Sequence, residues 1–171
     1  LVLDPTLLLE PADYASIAPG SGAENHLVTY ILDDTPEKRQ AIDKLFQHNH
    51  FSGRCDFSIK PTDGKCQPQM EDWLTAFKTA KLIITDSYHG TAFAILFRRP
   101  FIAIANHSRG AARFLSLLSR LNLTERLVSC PNDISPEACN KHIDFDAAHA
   151  LLELERQKSL SFLIQALATN I

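Results

Sequence analysis

Between Thr85 and Thr91 the chain gathers side chains that can move protons and hold anions: Asp86, Ser87, His89 and Thr91, with Gly90 among them. The imidazole of His89 could donate to a phosphate or carry a proton near neutral pH, and Asp86 offers a carboxylate base. Two guanidinium groups follow at Arg109 and Arg113, a side chain that grips phosphate or carboxylate in a bidentate manner. Together they suit chemistry on a small anionic substrate. Each also has a plainer reading. His89 could cap a carbonyl, Asp86 could accept turn N–H groups, Thr91 could cap a helix, and Arg113 could be a solvated helix residue or an ion-pair partner. Residue types alone leave both open.

The elements that must position these residues are legible around them. Leu82, Ile83 and Ile84 form a short β-branched apolar run, polar residues interrupt it, and residues 92–97 resume as good helix formers. The pattern is a buried strand, a tight polar turn and a helix. Asp86, Ser87 and His89 then sit at the carboxyl end of the strand, where the free N–H groups and dipole of the next helix favour anions. Gly90, lacking a Cβ, would let backbone approach a ligand closely. Arg98 and Arg99 precede Pro100 at the opposite edge, where helix C-capping is the natural role.

The remaining chain repeats this alternation. Residues 26–32 read as a first strand, ended by Asp33 and Asp34, and Thr35-Pro36 opens a helix that buries Ile42, Leu45 and Phe46. Gly53 should break that helix, residues 56–60 form a weaker strand, and Pro68 starts a helix with Met70, Trp73, Leu74 and Phe77 on one face. Residues 101–105 form a fourth strand, Ser108 caps a helix buried through Phe114, Leu115, Leu118 and Leu121, and residues 127–129 form a short fifth strand. A C-terminal helix over residues 147–167 changes phase between Leu152 and Leu160, which suggests a bend or two packed faces. Such alternation predicts an α/β fold, a doubly wound parallel sheet with helices on both faces and a C-terminal helix. Ligands of such sheets bind beyond the carboxyl ends of the strands, so Asp33, Asp34, Asp86, Ser87, His89, Asn106 and His107 should share one edge.

Composition bounds the rest. A chain of 171 residues, 45% hydrophobic and 22% charged, is enough for one domain with a sizeable core. The net charge of −3 gives no reason to expect nucleic acid as a partner. No apolar run approaches the roughly 20 residues of a membrane span, and no signal peptide is visible. Leu1 in place of Met suggests that a natural N-terminus is missing. Cys55, Cys66, Cys130 and Cys139 form no Cys-x-x-Cys pair, which favours reduced thiols in a cytoplasmic protein. His48, His50, Cys55 and Cys66 could ligate zinc, at no recognised finger spacing. No metal is expected. Asp33, Asp34 and Asp86 also suggest the acidic pocket of a phospho-receiver module. Asn106 and the missing Lys after the fifth strand count against that.

Thr85, Asp86, His89 and Gly90, the apolar helix 92–97, the strand from Pro100 to Ile104 and the segment Arg109-Gly110-Ala111-Ala112-Arg113-Phe114 together resemble the C-terminal half of the polysaccharide pyruvyltransferases. The resemblance runs from about Trp73 to Leu127 and rests on several spaced elements. It implies a Rossmann-like domain, one half of a GT-B-like architecture, that transfers a pyruvyl group from phosphoenolpyruvate to a sugar of a polysaccharide or its precursor as a ketal. It implies His89 and Asp86 as catalytic residues, and Ser87, Gly90, Thr91, Arg109 and Arg113 as substrate-binding ones. Ser87 stands where many relatives carry Arg, which leaves the donor's charge to Arg109.

The resemblance also implies that residues 1–25 are an interdomain segment, with Leu3-Asp4-Pro5-Thr6-Leu7 closing a missing N-terminal domain, and that residues 26–171 form the donor-binding domain. Alone, such a domain is expected to be inactive. Its partners would be the donor, a saccharide acceptor and the missing domain, with phosphoenolpyruvate a substrate and no cofactor. Its place would be the cytoplasm, in peripheral association with a membrane-bound glycolipid acceptor at the inner face. An activated-sugar donor on the same architecture is the alternative, making a glycosyltransferase domain.

Overall fold

A computed structural model describes residues 2–18, 20–22, 24–58, 69–106 and 110–168. Ile59, Cys66, Pro68, His107, Ser108 and Arg109 of the expectations above lie outside the described residues. In chain order a 3-10 turn (Pro5–Leu8) and α1 (Pro11–Ala15) precede β1 (His26–Tyr30), α2 (Pro36–His48) and β2 (Gly53–Phe57). Then follow α3 (Met70–Thr79), β3 (Leu82–Thr85), α4 (Tyr88–Leu96), β4 (Phe101–Ile104), α5 (Ala111–Arg120), β5 (Leu127–Val128), α6 (Pro136–Asn140) and α7 (Phe145–Ala168).

Among the described residues, five strands form one all-parallel sheet in the order β2-β1-β3-β4-β5. Strand alternation divides the core. Leu27, Ile84 and Ile102 face α2 and α6, whereas Val28, Ile83 and Phe101 face α3, α4, α5 and α7. The face changes because the winding changes direction. From β1 the chain moves outward to β2, then returns past β1 to β3, and right-handed crossovers place the connecting helices on opposite faces when that happens. The switch falls between β1 and β3, which is where His89 emerges. Phe77 and Phe101 are fully buried in this core, and truncating either to Ala would cost about 3–5 kcal/mol.

Helix starts follow local chemistry. Thr35 accepts a hydrogen bond from the Lys38 N–H with Pro36 in the first turn, the expected cap. In α3, Trp73, Leu74 and Phe77 are buried while Met70 is 62% exposed, so the apolar stripe lacks its first member. The helix ahead of Gly53 ends earlier, where Asn49 bonds the Leu45 carbonyl through both its backbone N–H and its side-chain amide.

Gly53 instead opens β2, three residues ahead of the expected strand start, opposite His26, where a Cβ would lie 2.0 Å from His26 Nε2. The half-buried edge strand carries no clean alternation from which its register could be read. Gly110, at φ 86, caps α5 in the left-handed region.

Helix α7 is unbroken, and the expected change of phase has a polar cause. Its buried stripe runs Ala148, Leu152, Arg156 and Ser159, continuing on polar residues where the apolar pattern stops. Those two hold the N-terminal segment. Arg156 Nε donates to the Leu7 carbonyl at 3.0 Å, Arg156 also pairs with Glu10, and Ser159 Oγ accepts from the Leu3 N–H at 2.9 Å. Leu3, Leu7 and Ala18 are buried in the main core. The described part of residues 1–25, a span expected as an interdomain segment, is thus packed through these positions onto the Rossmann-like body. Among the described residues no helix is long and apolar enough to cross a membrane.

Candidate functional site

The turn between β3 and α4 is built from the inside out. Thr85 Oγ1 donates to the Tyr30 carbonyl at 2.6 Å and accepts from the Ser87 N–H at 3.0 Å. Ser87 Oγ then caps the Gly90 N–H at 3.3 Å, and Thr91 Oγ1 donates to the Ser87 carbonyl at 3.1 Å. Gly90 is required by close approach: a Cβ would come within 2.4 Å of Thr85 Oγ1. Ser87, Gly90 and Thr91, expected to contact substrate, are all buried and satisfy one another. Their geometry fixes how α4 leaves the sheet.

Asp86 lies beneath them at 1% exposure. Its carboxylate accepts from the Leu32 N–H at 2.6 Å, the Asp33 N–H at 3.1 Å and Lys38 Nζ at 2.7 Å. Asn106 Nδ2 sits 3.4 Å from the same carboxylate and 2.7 Å from Asp33 Oδ2. Lys38 Nζ also reaches the Asp33 carbonyl at 2.7 Å. The network ties the carboxyl ends of β1, β3 and β4 together. Asp33, Asp86 and Asn106 do share the expected edge, but as a knot of structure with Lys38 at its centre. Among the described residues no three His, Cys, Asp or Glu side chains converge as metal ligands.

His89 is the member of the turn that looks outward. Its side chain is 55% exposed and forms part of the wall of a cavity of about 570 Å³. That cavity sits over the ends of β1 and β2 and is bounded further by α3 and α4. Nε2 stands 3.6 Å from Asp4 Oδ2, and the same oxygen is 3.4 Å from Arg113 Nη2. The Arg113 guanidinium lies 4.2 Å over the Tyr88 ring, which orients it by cation–π attraction. Burial pushes the Tyr88 hydroxyl above its ordinary value, Asp4 pushes it further, and Arg113 partly offsets both. A second cavity of about 390 Å³ opens on the far side of Asp4, with Tyr88, Arg113 and Arg120 in its wall.

Of the expected site residues, His89 and Arg113 are brought together, through Asp4. Arg109 lies outside the described residues. Asp4 and Tyr88 were not anticipated as site residues. Tyr88 has a local signal, an aromatic residue adjacent to His89. Asp4 has none, because its carboxylate reaches the site only by docking of the N-terminal segment. Asp4 Oδ1 also accepts from the Thr6 N–H at 3.1 Å, which fixes its rotamer.

Fold and site define an α/β protein of the doubly wound class with a ligand-sized cleft at the carboxyl edge of its parallel sheet, beside an accessible imidazole. The family model for polysaccharide pyruvyl transferase matches residues 1–108, so the chain belongs to that family and is a transferase of that type. The match includes Asp4, Lys38, Asp86 and His89 and ends before Arg113. No curated protein and no solved structure matched the chain.

Proposed function

We propose that this domain binds phosphoenolpyruvate and serves the transfer of its pyruvyl group to a saccharide as a cyclic ketal. In that reaction the methylene carbon of the donor gains a proton and becomes methyl. The central carbon forms two C–O bonds to hydroxyls of one sugar and loses its bond to phosphate. Of the two protons shed by the hydroxyls, one balances the methyl group and the other leaves with phosphate. The chemistry needs a group that moves protons and cations that hold the donor's anionic ends. His89 supplies the first, and Arg113 supplies part of the second, with Arg109 close by in sequence.

The observation that carries this reading is the exposed His89 ring at the mouth of the cleft, with the Asp4 carboxylate 3.6 Å away and Arg113 on the same carboxylate. Asp4 holds the imidazole and guanidinium in one arrangement. The role as the donor-binding half of a two-domain enzyme acting on a polysaccharide precursor rests on the family, and a domain working in that way would be inactive without the opposite wall. The receiver-type alternative is disfavoured: both Asp86 oxygens are engaged and the carboxylate is buried. Thermal stabilisation separates the donors. Phosphoenolpyruvate should raise the melting temperature while a panel of nucleotide sugars leaves it unchanged; a rise with only a nucleotide sugar would replace pyruvyl transfer by glycosyl transfer.

A further inference from the structure

At the opposite edge of the sheet a cavity of about 580 Å³ opens between the amino ends of β1, β3 and β4 and the connection from α6 to α7. Lys81, Arg98 and Lys141 stand in its wall with the imidazoles of His50 and His142, and no Asp or Glu joins them among the described residues. The chain as a whole carries a net charge of −3, so this gathering of cations runs against its average. Lys81 Nζ and both rings have no partner among the described residues. Arg98 pairs with Asp146 at 2.8 Å and Lys141 with Glu125, but both acids lie outside the wall.

Helix capping does not account for these side chains. Helices α2 and α4 end at this edge, yet Asn49 closes α2 on the Leu45 carbonyl and the N–H groups of Phe97, Arg98 and Arg99 close α4. Arg98 sits at φ 55, a left-handed position where glycine carries no penalty, and its exposed ion pair is too weak to offset that strain. The wall is also held from behind. Arg126, fully buried, donates to the Ala138 and His142 carbonyls at 3.0 Å each and to the Lys141 carbonyl. Burying a guanidinium is costly, and what this one fixes is the connection that carries Lys141 and His142. Across the cavity, Asn25 Nδ2 donates to the His50 carbonyl at 2.8 Å and the Lys81 N–H to the His26 carbonyl at 2.9 Å.

We infer that this cavity is a second ligand site, for a small phosphorylated molecule whose phosphate lies on Lys81, Arg98 and Lys141 and whose organic part lies on Phe51 and Phe145. Lysine and arginine hold phosphate oxygens by charge-assisted hydrogen bonds, and an imidazole N–H donates in either protonation state. Helix C-termini disfavour anions, so at this edge side chains must supply the attraction. The two rings are half-buried and offer the apolar part of the wall. The volume of about 580 Å³ lies within the roughly 300–1,000 Å³ of small-ligand clefts. A membrane surface would call for cations beside projecting apolar side chains, whereas these line a hollow. The site is at the other end of the strands from His89 and does not depend on the pyruvyl transfer proposed above.

Titration calorimetry of the chain with pyrophosphate, ADP and UDP should show saturable binding of at least one. Lys81→Gln and Lys141→Gln remove exposed charges, and Arg98→Gly removes the guanidinium at a position that glycine favours, so all three variants should keep the parent's melting temperature. Each should weaken the ligand about tenfold, the scale of one lost charge-assisted contact. Arg113→Gln, at the other edge, should leave that binding as it is. Flat titrations with all three phosphates, or undiminished binding in the amino-edge variants, overturn the site. Binding that Arg113→Gln abolishes overturns it too, by returning the phosphate to the carboxyl edge. Sedimentation with phosphatidic acid vesicles while the soluble phosphates fail overturns it in favour of a lipid surface. Stabilisation by phosphoenolpyruvate should be the same in the three amino-edge variants as in the parent. Its loss in them, with retention in His89→Ala and Arg113→Gln, would make phosphoenolpyruvate a ligand of this cavity, upholding the site and removing the thermal support for the pyruvyl reading.

Discussion

Asp4 Oδ2 stands 3.6 Å from His89 Nε2, although the first belongs to a segment ahead of β1 and the second to the start of α4. The distance exceeds a hydrogen bond but lies within ion-pair reach. Arg113 shares the oxygen at 3.4 Å, so one carboxylate aligns an imidazole and a guanidinium. What holds Asp4 there is remote from the chemistry: Arg156 and Ser159 on α7 bind the backbone on either side of it.

Replacing the exposed imidazole should separate catalysis from folding. His89→Ala in the catalytically complete protein is expected to lower turnover by about 10²–10⁴, the usual worth of a positioned acid–base group. Its melting temperature should hardly move, since an exposed surface substitution costs within about 0.5 kcal/mol. Near-normal turnover would make His89 a structural residue. Asp4→Asn retains an acceptor for the Thr6 N–H and replaces the oxygen facing His89 and Arg113 with an uncharged amide nitrogen. It should lower turnover by a smaller factor and change the pH profile of the rate, as loss of an orienting carboxylate does.

The buried pair tests the frame beneath the site. Lys38→Met leaves the Asp86 carboxylate with backbone and amide partners but no cation, and is expected to cost about 3–5 kcal/mol in urea unfolding. Lys38→Met combined with Asp86→Leu should recover part of that loss, because no uncompensated charge remains. A single variant as stable as the parent would mean that Asp86 does not need its cation.

Gly90→Ala sets helix propensity against contact. Alanine in a helix gains about 1 kcal/mol over glycine, but the added methyl meets Thr85 Oγ1 at 2.4 Å. The contact should win, giving a net loss of about 1–3 kcal/mol, the usual cost of overpacking. Thr85→Ala removes the obstacle, so the double variant should lose less than the two single losses summed, which a double-mutant cycle measures.

Alkaline stability should carry a signature of Cys139. Burial pushes its thiol up to about 11, with Arg126 offsetting part of the rise and Glu137 adding to it. The folded chain holds this proton more tightly than the unfolded chain does. Its contribution to stability is therefore complete below the ordinary thiol range near 9 and is lost as pH climbs from there to about 11. Denaturant midpoints should fall over that window, and Cys139→Ala should flatten part of the fall. At neutral pH a thiol reagent should label exposed Cys130 well before Cys139.

What the sequence determined by itself was local or periodic. Thr35-Pro36 marked a helix start, Leu82 to Ile84 marked a buried strand, and the alternation of such pieces implied the parallel sheet and the edge where His89 would emerge. These signals survive in one dimension because caps and periodicities involve residues a few positions apart. Tertiary structure alone decided which polar side chains would be spent inside. Asp86, Ser87 and Thr91 read as site residues in one dimension; in the fold they are buried and hydrogen-bonded to Lys38, Thr85 and backbone groups, while Asp4 lies beside His89 from far along the chain. Arg156 and Ser159 interrupt the apolar stripe of α7 on paper and continue it in space, because burying them is favourable only once the carbonyls and N–H groups of the N-terminal segment lie across them. A polar residue's fate depends on partners brought by distant elements, and no spacing rule along the chain encodes those partners.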